Sequence, residues 1–378
     1  MSFRLLSPRF GLGVLVAVVT AIHASAVHTE FIDDAYISFR YSWHLAHGNG
    51  LTFNVGDPVE GYSNLTWVWL GAAVIKLGIP LEPGIKCLAV AFLAATPVFL
   101  YALLLRLGAT LPHAAVTALL LASMTSWVVP MVNGLEGALF SFLLLVVTSL
   151  TWRNSTAASR TVVIASGLAG FLLAATRPEG AALYLSQLGV ALIFCAAYRN
   201  KVGWRAHLLS LATFLAAIGV LTAWRLATYG SMLPNTVIAK MNRQSRIFSR
   251  IVLSVSGDGF QYCLAFFFET LPVWLLIGMG TLWMWRLGSS SEAKPRSLLA
   301  VLAAVVPPLA FILVLANNGD WMPHFRLLAP ILPLLVLIAG ALLIGSPRWT
   351  LVAFAAATIA SVSPRNCPRR ACACRIVC

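Results

Sequence analysis

The sequence predicts an all-α polytopic membrane protein of about 11 transmembrane helices, with juxtamembrane helices in its first external loop. Three observations carry this expectation. Of 378 residues, 60% are hydrophobic and 10% charged, and the mean hydropathy is +0.87. No water-soluble surface can be built from that composition. Apolar stretches of spanning length recur along the chain, bounded by charge or by Pro and Gly. Finally, the 26 Lys and Arg outnumber the 12 Asp and Glu and fall largely at the ends of these stretches. That placement is explained by membrane topology and leaves no case for nucleic acid as a partner.

The first stretch, 11–28, follows Arg4 and Arg9 and is too long for the core of a cleaved signal, so it reads as a span. Further spans are predicted at 84–106, 113–131, 136–152, 161–176, 180–198, 206–227, 268–286, 298–316 and 325–345, with a shorter one at 349–362. Segment 65–79 is short, with Trp67 and Trp69 at one end and Lys76 at the other. If it does not cross, the basic connections at Arg106, Arg153 and Arg160, Arg199 to Arg205, Arg286 to Arg296 and Arg348 share the side of the basic N-terminus. If it crosses, most of them land outside. It is therefore read as a helix lying at the outer face.

This topology makes 1–362 one transmembrane module with two long external loops, 29–83 and 228–267. Eleven of the 12 acids then lie at or near the outer side, and only Glu292 lies inside. The second loop carries Lys240, Arg243, Arg246 and Arg250 against the basic-inside trend. Cys87, Cys195 and Cys263 are scattered and indicate no disulfide framework. The sequons at Asn64 and Asn154 are set aside as chance matches.

The polar stretch from Phe31 to Gly50 reads as an aromatic interfacial helix, entered at Asp33 as N-cap and ended by Gly48 or Gly50. Asp33 and Asp34 sit at its first turn, where the helix dipole favours the ionised carboxylate that a base requires. Residues 50–67 are dense in turn formers and form a loop that includes Glu60, Tyr62 and Asn64. Four more polar clusters recur at outer span ends: Asn133 to Glu136, Arg177 to Gly180, Tyr229 to Thr236 with Lys240, and Asn318 to Arg326. They place Glu136, Arg177, Glu179, Asn235, Lys240, Asp320, His324 and Arg326 on one face with the acidic pair, as an external polar cavity over an apolar body.

The order Asp-Asp-Ala-Tyr-Ile-Ser-Phe-Arg-Tyr, Gly-Asn-Gly-Leu-Thr-Phe-Asn, Val-Glu-Gly-Tyr-Ser-Asn, Gly-Leu-Glu, Arg-Pro-Glu-Gly, Tyr-Gly-Ser-Met-Leu-Pro-Asn-Thr and Gly-Asp-Trp-Met-Pro resembles bacterial membrane glycosyltransferases of the GT-C superfamily. The nearest branch is that of the mycobacterial terminal arabinofuranosyltransferases, and the resemblance covers about residues 11–345. It implies a GT-C fold with two juxtamembrane helices in the first outer loop. It also implies a polyprenyl-phosphate sugar donor, an acidic pair holding the catalytic carboxylate, and a cell-envelope glycan or lipid acceptor. Arabinofuranose is the sugar that this branch suggests. The protein would then reside in the bacterial cytoplasmic membrane, with its site facing the periplasm or exterior.

On that reading a carboxylate takes the acceptor's proton as the hydroxyl attacks the anomeric carbon, and cations hold the phosphate leaving group. Asp34 or Asp33 is the expected base, with Asp34 favoured. Arg40, Arg177, Lys240 and Arg326 are the expected phosphate ligands. Glu60, Tyr62, Asn64, Glu136, Glu179, Asn235, Asp320 and His324 are expected to bind sugar or acceptor or to position other groups. A divalent cation between carboxylates is compatible with the sequence but not demanded by it, and no other cofactor is expected. A secondary transporter or flippase of lipid-linked sugars is the alternative, but such proteins carry ionisable groups near mid-membrane, often in matched halves. Here the acids gather in outer loops and no matched halves occur. The tail 363–378, with Cys367, Cys372, Cys374 and Cys378, departs from the family pattern and reads as a frameshifted or truncated end. Its cysteines lack paired zinc-ligand spacing.

Overall fold

A computed structural model describes residues 8–27, 31–236, 238, 258–287, 293–316, 319–320 and 324–362. Lys240, Arg243, Arg246, Arg250, Glu292 and the tail 363–378 lie outside the described residues. Apart from one isolated bridge between Asn54 and Asp57, regular structure among the described residues is helical. The helices are α1 Pro8–Ala26, α2 Asp33–Ala46, α3 Leu65–Lys76, α4 Leu81–Arg106, α5 Leu111–Ser123, α6 Thr125–Met131, α7 Gly137–Thr156, α8 Arg160–Thr176, α9 Glu179–Ala197, α10 Lys201–Tyr229, α11 Asp258–Glu269, α12 Leu271–Leu287, α13 Ala293–Ala304, α14 Val306–Ala316, α15 Leu332–Leu342 and α16 Trp349–Val362.

Six helices are long and apolar enough to cross a membrane, and each of two bent pairs could add one more span, for eight. The expected count of about 11 is therefore not met by length and composition. The expected spans at 161–176 and 349–362 are helical over those bounds and 325–345 is helical over 329–342, but these apolar helices are each shorter than a full crossing. The expected span 113–131 breaks at Met124, where α5 and α6 meet at 56°. The expected span 268–286 is the second arm of a pair, α11 and α12, bent by 70°. Helix α11 thus takes up the end of the segment expected to be external loop.

Outward-facing Ile22, Leu209, Leu215, Val220, Trp285 and Ile359 give these helices a surface suited to hydrocarbon rather than water. Inside, Leu100, Leu104, Trp127, Leu144, Leu334 and Leu335 belong to one continuous apolar core. Helix α3 has 12 residues, about 18 Å of length, too short to cross alone. It packs on α2, α4 and α8, burying Trp67, Val68, Ala72 and Val74. Helices α2 and α3 thereby rest on one end of the bundle. Cys87, Cys195 and Cys263 are free thiols.

Candidate functional site

Helix α2 begins at Asp33, with Ile32 in extended conformation at the N-cap position and no side-chain cap. This corrects the expectation that Asp33 caps the helix. Its carboxylate is already on the first helical residue and accepts the neighbouring Asp34 amide at 2.9 Å. The backbone supplies the entry instead, because Ala35 N–H donates to the Ile32 carbonyl at 3.0 Å and Ile32 N–H to that of Asn133 at 3.3 Å. The helix ends at Ala46, followed by Gly48 with φ of +82°, as the sequence predicts.

The Asn133–Glu136 turn is held against α2 by Gly134. Its φ is +94°, and a Cβ there would meet Phe31 and Ala35. The Gly134 carbonyl accepts the Trp67 indole N–H at 2.9 Å, fastening α3 to the same turn. Asn64, just before α3, donates to Glu136 Oε2 at 2.8 Å and exchanges hydrogen bonds with Ser38 Oγ on α2. Asn64 is buried, as is Asn154, so each sequon side chain lies inside the structure.

Arg177 leaves the end of α8 and is buried. Its Nε lies 2.8 Å from Glu179 Oε1 and 3.7 Å from Glu136 Oε1, and its guanidinium rests 5.2 Å from the centre of the Phe140 ring. Burial opposes its charge, but the fields of Glu179, Glu136 and Asp320 outweigh burial and push its pKa upward. Gly180 allows this corner to close, since a Cβ there would collide with the Leu173 backbone.

Arg326 completes the group from the far end of the sequence. Its guanidinium forks onto Asp320, Nε to Oδ2 at 2.9 Å and Nη2 to Oδ1 at 3.4 Å. Its Nη1 reaches Asp34 Oδ2 at 3.4 Å. Asp34 stays half-exposed while Asp320 is nearly covered, with side-chain exposures of 47% and 4%. One carboxylate is thus open to solvent, and the other orients the arginine.

A second group forms where the 50–64 loop meets α10. Arg225 Nε donates to Glu60 Oε1 at 2.9 Å, with Glu60 2% exposed. Burial pushes the Glu60 carboxyl above the ordinary range, and Arg225 only partly offsets this. The Asn235 amide donates to the Glu60 carbonyl at 3.1 Å. Tyr62 packs edge-on to Tyr41 and sets its hydroxyl 3.4 Å from that of Tyr229. The Tyr41 hydroxyl donates to the Val59 carbonyl at 2.6 Å and accepts from Gly61 N–H at 2.8 Å. Burial raises the pKa of both Tyr41 and Tyr62.

Asp34, Asn64, Glu136, Arg177, Glu179, Asp320 and Arg326 therefore come together in the structure. Glu60, Tyr62 and Asn235 form a second group joined to the first through α2. Arg40 turns elsewhere, donating to the Phe53 carbonyl at 2.6 Å and the Asn54 side chain at 3.0 Å while stacking on the Phe53 ring. His324 is exposed at a φ of +66°. Lys240 lies outside the described residues. Sequence reasoning missed Arg225 and Ser38. Arg225 was legible as an ionisable residue within an apolar helix, the usual mark of a functional partner; Ser38 carried no signal beyond its place one turn after Asp34. Among the described residues, no group of three or more His, Cys, Asp or Glu is arranged to hold a metal ion.

No protein-family model matches the chain. The chain is 26% identical over 365 residues to the terminal beta-(1->2)-arabinofuranosyltransferase of Corynebacterium glutamicum. That similarity is to an enzyme. It covers 86% of this chain and 50% of the relative, so the chain spans about half the length of the curated relative it matches.

Proposed function

We propose that this chain is an integral-membrane glycosyltransferase that moves a sugar from a polyprenyl-phosphate donor to a cell-envelope glycan or lipid acceptor. The approach of Arg326 to Asp34, 3.4 Å apart, carries this reading. It sets a half-exposed carboxylate beside a cation at one end of an apolar bundle, the pairing that transfer from a lipid-linked sugar phosphate requires. The similarity to the corynebacterial enzyme supports the reaction class and suggests arabinofuranose as the sugar.

In the proposed reaction the acceptor hydroxyl oxygen bonds to the anomeric carbon as the bond to the phosphate oxygen breaks. The polyprenyl phosphate leaves with the electron pair, and the hydroxyl proton passes to Asp34. Arg326, oriented by Asp320, offsets the charge that gathers on the phosphate. Arg177, held by Glu136 and Glu179, positions this framework. Glu60 and Tyr62, buried against Arg225 and Tyr229, position the 50–64 loop beside the site, and Asn235 is the exposed member of that group. The membrane is the bacterial cytoplasmic membrane, with the Asp34 end outward. A total of about 11 spans follows when α8, the helix over 329–342 and α16 cross alongside the longer helices and bent pairs.

Membranes carrying the chain, supplied with a panel of labelled polyprenyl-phosphate sugars and an envelope glycan acceptor, test the proposal. Label should move to the acceptor from at least one donor. Absence of transfer from every donor, with the protein folded and inserted, contradicts it.

A further inference from the structure

At the other end of the bundle, α9 and α10 meet around a cavity of about 300 Å³ lined by Cys195, Ala196, Arg199, Asn200, Lys201, Trp204 and Arg205. The 19 residues of α9 place it about 28 Å along the helix from Glu179 and the candidate site. The cavity is open to its surroundings and its walls are mostly apolar; Arg199, Lys201 and Arg205 are exposed cations around it, and none of the residues that line it is a carboxylate. The floor is fixed, because Asn200 Oδ1 accepts from Gly203 N–H at 3.0 Å while its Nδ2 donates to the Ser155 carbonyl on α7 at 2.7 Å. Tyr198 and Trp204 are exposed beside it, the residues that mark a membrane–water boundary. The positive end of the α10 dipole faces the same space.

Arg199 adds a separate observation. It ends α9 with φ of +52°, in the left-handed region where glycine is the usual residue. The Asn200 amide reaches back to the Cys195 carbonyl at 2.8 Å, the bond that closes such a terminus. An arginine here strains the backbone, and holding a cation at the mouth of the cavity gives that strain a reason.

We propose that this cavity binds the headgroup of an anionic phospholipid of the surrounding bilayer, its phosphate facing Arg199, Lys201 and Arg205 and its glycerol backbone lying against Trp204. A basic pocket between helix ends at the interface is suited to that ligand, and each cation near the phosphate contributes about fivefold in affinity.

The test uses the full chain reconstituted in vesicles of equal phosphatidylcholine and phosphatidylglycerol, then solubilised and examined by native mass spectrometry for retained lipid. Wild type should keep phosphatidylglycerol in preference to phosphatidylcholine. Arg199→Gln, Lys201→Gln and Arg205→Gln should each lower that retention about fivefold, whereas Arg106→Gln with Arg348→Gln, at the same end but outside the cavity, should leave it unchanged. Arg199→Gly should lower retention without lowering the melting temperature, because glycine relieves the left-handed backbone. Equal retention in the cavity variants, equal loss in the control pair, or displacement of the lipid by inorganic phosphate would overturn the proposal.

Discussion

Arg326 Nη1 stands 3.4 Å from Asp34 Oδ2 across 292 residues of sequence, and the same guanidinium is forked onto Asp320. The two contacts are unequal. Asp320 is covered and holds the arginine in plane, while Asp34 remains open. Arg326→Gln should weaken use of the lipid-phosphate donor more than use of the acceptor. Arg326→Lys should recover only part of the loss, because an ammonium cannot fork onto Asp320 while facing Asp34. Kinetics with both substrates varied decide this, and unchanged donor dependence in both variants would make Arg326 a structural anchor.

Arg177 should behave differently. It is buried against Glu179 and Glu136, so Arg177→Gln leaves carboxylates unpaired where water is scarce. The expected result is lost stability of about 3 kcal/mol, seen as a lower melting temperature in detergent. Neutralising Glu136 in the same chain should recover part of the loss. A melting temperature unchanged by Arg177→Gln would show that the cluster is not coupled to folding.

Glu60 supplies a pH dependence. Its carboxyl is raised above the ordinary value of 4.5, chiefly by burial. The folded protein then holds this proton over a window where the unfolded chain has already lost it. The stability this confers is present below the ordinary glutamate value and is lost as pH rises through the raised one. Glu60→Gln should flatten that part of the stability profile. Arg225→Gln should steepen the loss, since it leaves the deprotonated carboxylate buried without its partner. Melting temperatures across mildly acidic to neutral pH provide the check, and parallel profiles for wild type and Glu60→Gln would refute the assignment.

The all-helical, membrane-borne character was legible because composition and apolar run length depend on local sequence alone. The first-loop helices were legible for the same reason: Asp33 to Gly48 carries both a turn of charge and a glycine stop, and α3 is too short to cross. Span count was less so, because α8, the helix over 329–342 and α16 are apolar but shorter than a full crossing, and hydropathy reports neither that shortfall nor the bends at Met124 and between α11 and α12. In the site, clustering at one membrane face brought Asp34, Glu136, Arg177 and Arg326 into one list. Their pairing was not readable, since which carboxylate an arginine meets depends on helix packing. Arg40 shows the limit: its motif pointed to phosphate, but the 50–57 loop folds back and takes its guanidinium.

The acidic pair offers the most direct measurement. Asp34 faces Arg326, whereas Asp33 is exposed and turned to the amide of its neighbour. Transfer from a polyprenyl-phosphate sugar should therefore fall by on the order of a hundred- to ten-thousand-fold in Asp34→Asn, with Asp33→Asn retaining much more activity and both proteins folding at wild-type levels. Near-normal turnover in Asp34→Asn, measured on folded protein at matched expression, would contradict Asp34 as the base.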